Sequence, residues 1–422
     1  MTYRFAFMRH GESTGNRDGY VQGQHDYPLS LEGIHQVNTL AKKWREINIR
    51  FDSIISSPLK RALSSAQIIQ NNLNIPLITD PLWMERHRGR QQGLSKEEFH
   101  QRFPRPAFIE LYDPIGETGE SEWQLYLRAG KAVQSLFRNP PGSYLIVSHG
   151  GLLNKVLHFI FGIKIQADFQ GLHFSMNNTA TTQIVYDSER NQWQLLDYAQ
   201  PSVYITGHDH PSPAYQLTFV RHAESQGNVD KIFQGQSETP LTKIGEAQAV
   251  GLGTFFNKSK VHFDKIFSSP QERTLQTAKK ICDPLNYNDI ETSPFLKEIN
   301  NGKLAGLNGD EINAQFPLRP DRNNPYLPVG ENGESWMELY LRGMAFLDEL
   351  LNEPPGSYLI VSHGGILNAI LWGILGIPPQ PSRRSAIFRF ENTGLCQISY
   401  TPHENLFRFF SLNPDTSILE NN

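Results

Sequence analysis

The sequence has only two cysteines, Cys282 and Cys396, in 422 residues, and both fall in its second half. Two cysteines this far apart provide no disulfide framework, which is typical of proteins from a reducing compartment. Long apolar runs are also missing, and the nearest, Ile366 to Ile377, is too short to span a membrane. The sequence predicts no signal peptide either, because Arg9 interrupts the short apolar run at the N-terminus and no signal-peptidase cleavage site follows it. We therefore expect a cytoplasmic protein that makes no use of a membrane.

A large excess of either charge is absent too. Lys and Arg number 39 against 43 Asp and Glu, for a net charge of −4 and a pI near 6.4. Neither nucleic acid nor an anionic membrane surface is then an expected partner, and an anionic ligand has to be bound by local charge. Hydrophobic residues make up 38%, and the length is enough for two or three domains with cores of their own.

A local cluster of that kind begins at Arg9 and His10. These residues follow the mostly apolar segment Arg4 to Met8, which predicts a buried strand, and open α/β sheets bind ligands at the carboxyl ends of their strands. A guanidinium can bind two phosphate oxygens, and a neutral imidazole can attack phosphorus. Alone, the two residues could equally be a surface pair beyond a strand.

The same pattern occurs twice in the chain. Phe7 to Asn16 returns as Phe219 to Asn228, so that His222 lies 212 positions after His10. Further pairs recur at offsets of 212, 213 and 214: Ser56-Ser57-Pro58 with Arg61 and Ser268-Ser269-Pro270 with Arg273, Glu85 and Glu298, and the identical segments Pro141 to Gly151 and Pro355 to Gly365. A period this long indicates two whole domains, because solenoid repeats are far shorter.

We predict domains at 1–205 and 215–422, joined by a linker at 206–214 that its prolines make semi-rigid. His208 and His210 flank an aspartate in this linker, but with no further ligand in view we predict no metal there. The two domains could pack as an intramolecular pseudo-dimer.

Each half alternates predicted strands and helices. Ser30 and Thr242 can cap helices, and Ser121-x-x-Gln124 and Ser335-x-x-Glu338 read as capping boxes rather than as catalytic serines. The segment Ser143 to Ser148 predicts a strand that ends at His149. The fold class that follows is α/β: a tandem duplication of a mostly parallel central sheet with helices on both faces.

Each half thus places two arginines, two histidines and one carboxylate at one sheet edge, which suits phosphoryl transfer by positioning and electrostatic stabilisation. In the first half we expect Arg9, Arg61 and a protonated His149 to supply positive charge and Asn16 an amide donor. His10 would be the nucleophile, and Glu85 would protonate the leaving alcohol and then activate water.

These motifs, in this order, resemble the histidine phosphatase superfamily, the phosphoglycerate mutase-like family, over nearly the whole chain. The Arg-His-Gly signature is similar to Arg9-His10-Gly11 and, less closely, to Arg221-His222-Ala223. The resemblance implies a metal-independent phosphatase without a cofactor that acts on a small phosphate ester, with a site in each half. It assigns His10, Glu85, His222 and Glu298 to catalysis and Arg9, Ser13, Asn16, Arg61, His149, Arg221, Ser225, Asn228, Arg273 and His363 to phosphate binding.

Departures from the family pattern leave alternatives open. Ala223 replaces the signature glycine, and a positive φ there would strain the second site by about 1 kcal/mol, which would make the first half the stronger phosphatase. The segment from Glu85 to Gly119 lacks the insertion typical of mutases, which favours hydrolysis. A 2,3-bisphosphoglycerate-dependent mutase in one half, or a half that only binds a phospho-ligand, is the alternative. The loops at Val21 to Tyr27 and Arg102 to Glu117 carry no signature that names the substrate.

Overall fold

A computed structural model describes residues 1–200, 214–380 and 385–414 of the chain. The chain divides into two compact units, Met1–Ser202 and Val203–Asn422. Of the predicted linker with His208 and His210, only Ala214 is among the described residues. Over the part of the chain that the structure describes, each unit has seven strands and six α-helices in matching order.

The elements of the first unit are β1 (Thr2–Arg9), α1 (Thr14–Arg17), α2 (Leu31–Glu46), β2 (Ser53–Ser56), α3 (Lys60–Leu73), β3 (Leu77–Thr79), α4 (Lys96–Arg102), α5 (Glu122–Leu136), β4 (Ser143–Ser148), α6 (Gly150–Phe161), β5 (Gly171–Phe174), β6 (Thr181–Asp187) and β7 (Gln192–Gln200). Those of the second are β8 (Tyr215–Arg221), α7 (Gln226–Val229), α8 (Lys243–Lys258), β9 (Lys265–Ser268), α9 (Glu272–Cys282), β10 (Ile290–Thr292), α10 (Gly309–Gln315), α11 (Trp336–Leu351), β11 (Ser357–Ser362), α12 (Gly364–Leu375), β12 (Ile387–Phe388), β13 (Leu395–Thr401) and β14 (Leu406–Leu412).

In the first unit the strands lie in the order β3-β2-β4-β1-β6-β7, and in the second in the order β10-β9-β11-β8-β13-β14. The first four strands of each series are parallel, and the last two are antiparallel to their neighbours. The predicted α/β duplication with mostly parallel sheets is confirmed.

Helices cover both faces of each sheet because the parallel strands are apolar on both sides. On β1, Ala6 and Met8 belong to a buried cluster with residues of α2 and α3. Phe5 points to the opposite face, where its ring lies 6.1 Å from that of Phe137 at the end of α5. In the second unit, Phe267 likewise contacts Phe346 of α11, with ring centroids 5.6 Å apart. Full burial of a ring such as that of Phe5 or Phe267 stabilises the fold by about 1.5–3 kcal/mol.

The predicted caps are confirmed. Ser30 Oγ accepts from Gly33 N at 2.9 Å, and Thr242 Oγ1 accepts from Gly245 N at 3.0 Å. Both capping boxes form, at Ser121 before α5 and at Ser335 before α11. No α-helix in the described ranges is both long enough and apolar enough to cross a membrane.

Candidate active site

The strand register brings the predicted histidines together. Arg9 on β1 lies opposite Ser148 on β4, and Ser56 on β2 lies opposite Val147, so the three strands end at the same level. The residues that follow therefore meet at the carboxyl edge of the sheet: the rings of His10 and His149 are 5.0 Å apart. The second unit repeats this arrangement, with 5.3 Å between the rings of His222 and His363.

The hydrogen bonds of His10 fix its tautomer. Its Nδ1 lies 2.6 Å from the carbonyl oxygen of Gly11, which only accepts, so the proton is assigned to Nδ1 and the lone pair to Nε2. Arg61 Nε donates to that Nε2 at 3.2 Å. His222 Nδ1 lies 2.8 Å from the carbonyl of Ala223 in the same way.

Both of these imidazoles are neutral at pH 7. Burial lowers the pKa of His10 well below its usual 6.5, and the charges of Arg61 and Arg9 lower it further. Burial, with Arg221 and Arg273, has the same effect on the pKa of His222. Each half therefore holds an unprotonated ring nitrogen among arginines, as nucleophilic attack on phosphorus requires.

The second arginine of each site is fixed by backbone carbonyls. Arg61, in the first turn of α3, is 1% exposed and donates to the carbonyls of Gly23 and His25 at 2.7 and 3.0 Å. Burial lowers the pKa of Arg61 to about 10, so it remains charged at pH 7. Arg273 donates to the carbonyls of Gly235 and Ser237 at 2.7 and 2.8 Å. The first arginines, Arg9 and Arg221, each donate to one carbonyl of a later loop.

Several buried donors at these sites have no hydrogen-bond partner. Within the described ranges they include Arg9 Nε, Arg273 Nε, His149 Nδ1 and His363 Nδ1. Buried donors without an acceptor are uncommon, and a group rich in oxygen acceptors, such as a phosphoryl group, would satisfy them. The arrangement in both units fits an oxyanion.

The protonated His149 expected from the sequence needs correction. Burial, with Arg61, His10, Arg9 and Arg128, lowers the pKa of His149 well below 6.5, so its protein surroundings keep it neutral. Ser57 Oγ accepts from Leu59 N at 3.3 Å and lies 2.8 Å from His149 Nε2. We assign the hydroxyl as the donor to Nε2, which places the imidazole proton on Nδ1, the nitrogen without a partner in the protein. His149 then presents a neutral Nδ1–H donor, and His363 is paired with Ser269 in the same manner at 3.0 Å.

Ser13 and Asn16, in the loop after His10, make different contacts. Ser13 Oγ caps α1 by accepting from Asn16 N at 3.1 Å and lies 2.8 Å from Gln22 Oε1, so its hydroxyl is occupied within the protein. Asn16 Oδ1 accepts from Ser13 N, which leaves the amide Nδ2 as the group available for a ligand. The second unit repeats the contact between Ser13 N and Asn16 Oδ1, because Ser225 N donates to Asn228 Oδ1 at 3.1 Å.

Sequence reasoning missed a second asparagine in each site. Asn178 Nδ2 donates to the carbonyl of His10 at 2.9 Å, and Asn392 Nδ2 donates to that of His222 at 3.1 Å. The signal was present, because Asn178-Thr179 recurs as Asn392-Thr393 at the same offset of 214 as the second histidines. These amides fix the backbone at His10 and His222.

The carboxylate of Glu85 sits at the N-terminus of α6. Its Oε2 accepts from Gly151 N at 3.2 Å and its Oε1 from Leu152 N at 3.1 Å. Glu298 Oε2 accepts from Gly365 N at 3.0 Å at the start of α12. The loop that carries Glu85 is fastened by Arg128, which donates to the carbonyls of Met84 and Glu85 at 2.6 and 3.1 Å; Arg342 does the same for Glu298.

The expected strain at Ala223 is wrong. Neither Gly11 nor Ala223 has a positive φ. A methyl group on Gly11 would lie 2.7 Å from the Gly33 carbonyl oxygen and 2.8 Å from Val37 Cγ2. In the second unit the residue corresponding to Val37 is the smaller Ala249, and Ala223 is fully buried in the same cluster as Ala249. Because the position does not need a positive φ, the reason for ranking the first half above the second disappears.

No group of three or more His, Cys, Asp or Glu side chains in the described residues is arranged to hold a metal ion.

Comparison with known proteins gives one family. A model of the histidine phosphatase superfamily (branch 1) matches residues 5–199 and 217–413. "Probable phosphoglycerate mutase GpmB" of Yersinia enterocolitica is 35% identical over 191 residues, which cover 44% of this chain and 85% of that protein. The protein of the same name from Escherichia fergusonii is also 35% identical over 191 residues, with the same coverage. Two solved structures are each 25% identical: a mycobacterial glucosyl-3-phosphoglycerate phosphatase with VO3 (TM-score 0.42, covering 48% of this chain and 100% of that one) and the alpha-ribazole phosphatase of Shigella flexneri (TM-score 0.41, covering 47% and 96%).

Proposed function

The chain belongs to the histidine phosphatase superfamily, with one family match in each half, and from this membership we propose that it hydrolyses small phosphomonoesters through a phosphohistidine in both halves. One observation carries the proposal. In each half a buried histidine donates a hydrogen bond from Nδ1 to the carbonyl of the next residue. Its Nε2 therefore keeps a lone pair, and this nitrogen lies among arginines.

The reaction follows from the positions of these groups. His10 Nε2 attacks phosphorus and forms an N–P bond while the ester P–O bond breaks. The departing alkoxide takes a proton from the carboxyl group of Glu85, which is then a carboxylate. Water attacks the phosphohistidine, gives a proton to Glu85 and displaces Nε2, so that inorganic phosphate leaves and the site is restored.

The electrostatic part belongs to groups already fixed in place. Arg9 and Arg61 are held by backbone carbonyls and do not have to reorganise when charge develops on the phosphoryl oxygens. His149 Nδ1–H and the Asn16 amide add neutral donors. The second half carries the same groups at Arg221, Arg273, His363 and Asn228, with His222 and Glu298 in the reacting positions.

Release of inorganic phosphate from a panel of esters tests the proposal. His10→Ala and His222→Ala should each remove one component of activity, and the double variant should lose at least about a hundredfold on every ester. His35→Ala, an exposed histidine on α2, is the matched control and should act like the wild type. Full activity in the double variant would refute the proposal.

A mutase reaction in one half is the second candidate, because relatives 35% identical are named as phosphoglycerate mutases. The test is interconversion of 3- and 2-phosphoglycerate by each single variant. If either variant interconverts them and requires 2,3-bisphosphoglycerate, the mutase activity belongs to the half whose histidine is intact in that variant. If neither variant interconverts them and only one releases phosphate, the half that is intact in the inactive variant does not catalyse, and it is a phospho-ligand binding domain or a structural partner.

A further inference from the structure

We call the candidate site around His10 the first pocket and the one around His222 the second pocket. The two pockets share their proposed phosphate-binding residues but differ beside the proposed proton donor. Glu85 and Glu298 mark the side of the leaving group, because a general acid has to reach the oxygen of the departing alcohol. The alcohol part of an ester therefore lies next to the residues that surround these carboxylates. Differences there select the substrate without changing the chemistry at phosphorus.

In the first pocket this region is a buried charge cluster. Glu122, with 4% of its side chain exposed, is paired through Oε1 with Arg86 and has Lys155 Nζ 2.6 Å from its Oε2. Arg86 also donates to the carbonyl of Glu120 through Nε and Nη2, at 3.0 and 2.9 Å. Lys155 lies one turn of α6 beyond Gly151, the residue that holds Glu85, and so on the same helix face.

Arg88 adds a cation that this network does not satisfy. It follows Glu85 by three residues and donates through Nη2 to Gln91 Oε1 at 3.1 Å, but its Nε is buried with no hydrogen-bond partner. The negative charge of Glu120 does not neutralise Arg88, because both carboxylate oxygens of Glu120 are already paired with Arg128 nitrogens at 2.7 Å.

Positive charge is therefore in excess here. Three cations, Arg86, Arg88 and Lys155, face two carboxylates, Glu122 and Glu85. Buried charge without a partner is costly, so an anion that binds beside Arg88 is stabilised.

The second pocket has none of these charges. The positions of Arg86, Arg88, Glu122 and Lys155 are taken, at offsets of 213 and 214, by Ile299, Asn301, Trp336 and Ala369. The Trp336 ring lies 6.1 Å from that of Trp372, which replaces His158. A buried arginine that this half does contain, Arg319, is neutralised by Asp321 at 2.6 Å. These four positions therefore carry no charge in the second unit, and the exposed Arg389 near Arg221 is accompanied by Glu391.

We propose that the two pockets divide substrates by the charge of the alcohol. The first pocket selects phosphoesters whose alcohol carries a second anion, a carboxylate or another phosphate, with Arg88 as its ligand. The second pocket selects esters of neutral alcohols, aromatic ones included. This inference rests on the hydrolytic activity proposed above.

Two esters that differ in one carboxylate test the division: 3-phosphoglycerate and glycerol 3-phosphate, with phenyl phosphate as an aromatic third. His222→Ala leaves the first pocket working and His10→Ala leaves the second. The ratio of kcat/KM for 3-phosphoglycerate over glycerol 3-phosphate should be at least about tenfold higher in His222→Ala than in His10→Ala, since one charged hydrogen bond is worth about that factor or more. Phenyl phosphate should be the better substrate of His10→Ala.

Arg88→Asn, made in the His222→Ala chain, introduces the residue of the second half. It should lower kcat/KM for 3-phosphoglycerate about tenfold to a hundredfold and leave glycerol 3-phosphate within about threefold, which also shows that the pocket is folded. Arg90→Asn, in the same chain, is the matched control, because Arg90 is exposed and is paired with Glu117 on the surface.

Equal ratios in the two single-site chains, or equal losses on both esters in Arg88→Asn, would overturn the inference while leaving the phosphatase intact. If no ester is hydrolysed by either chain, the proposed function fails, and calorimetric binding of the same two esters still decides the inference. Tighter binding of 3-phosphoglycerate that is lost in Arg88→Asn supports it, and equal affinities contradict it.

Discussion

At the scale of single residues, His10 and His222 are held in one protonation state by burial and by arginines. Because their pKa values lie well below 6.5, these two proposed nucleophiles become protonated only at pH values well below that point. Ring resonances of His10 and His222 in NMR, assigned by difference with the two alanine variants, should not shift between pH 8 and pH 6. A titration centred near 6.5, as in a free imidazole, would contradict this.

Gly151 leaves room for the carboxyl group of Glu85, the proposed proton donor. A Cβ on it would lie 2.5 Å from Glu85 Oε1, whereas a Cβ on the neighbouring Gly150 meets nothing closer than 3.6 Å. Gly151→Ala should displace the carboxyl group and lower kcat of the first pocket about tenfold to a hundredfold, because misplacement of about 1 Å is enough for such a loss. Gly150→Ala is the control and should retain activity in the His222→Ala chain; equal rates in the two glycine variants would argue against this position for Glu85.

The predictability of the site also depends on single residues. His10, Arg61, Glu85 and His149 could be found because their motifs recur at a fixed offset, and the structure brings them to one sheet edge. The neutrality of His149 could not, because it depends on how deeply the fold buries the ring beside two arginines. Their catalytic roles remain proposals.

At the scale of elements, the loop after β1 packs directly on α2. Gly11→Ala places a methyl group 2.7 Å from the Gly33 carbonyl and 2.8 Å from Val37, and should cost about 1–3 kcal/mol of unfolding free energy. Val37→Ala in the same chain reproduces the Ala223 and Ala249 pair of the second unit. In urea unfolding, the double variant should lose less unfolding free energy than the two single variants lose together, by about 0.5–3 kcal/mol. Additive losses would show that the methyl group is not accommodated by the smaller neighbour.

The long elements followed from sequence, while the short ones did not. The capped α5 and the apolar β4 carry clear periodic and capping signals, and both appear where predicted. The three-residue β3 and the seven-residue α4 were missed, because so few residues give no period to detect.

At the scale of the whole molecule, the duplication places the same set of predicted site residues in each unit. The two cysteines are free and buried, in keeping with the absence of a disulfide framework. A cytoplasmic location and an intramolecular pseudo-dimer stay predictions.

Charge neutralisation in both units is assigned to arginine, with neutral histidine and amide donors beside it. Phosphate release should therefore survive dialysis against EDTA with at most about a twofold change in rate, since no step waits for a metal ion. Loss of activity on chelation, with recovery on adding Mg²⁺ or Zn²⁺, would show that the site has been misassigned.

The central claim is that each unit forms its own phosphohistidine. Rapid quenching with a ³²P-labelled ester, followed by peptide mapping, counts the labelled histidines directly. We expect label on both His10 and His222 in the wild type, on His222 alone in His10→Ala, on His10 alone in His222→Ala, and on neither in the double variant, because sites without shared partners act additively. If His222→Ala changes neither the labelling nor the turnover of any ester, the second unit does not catalyse and the account of two sites is wrong.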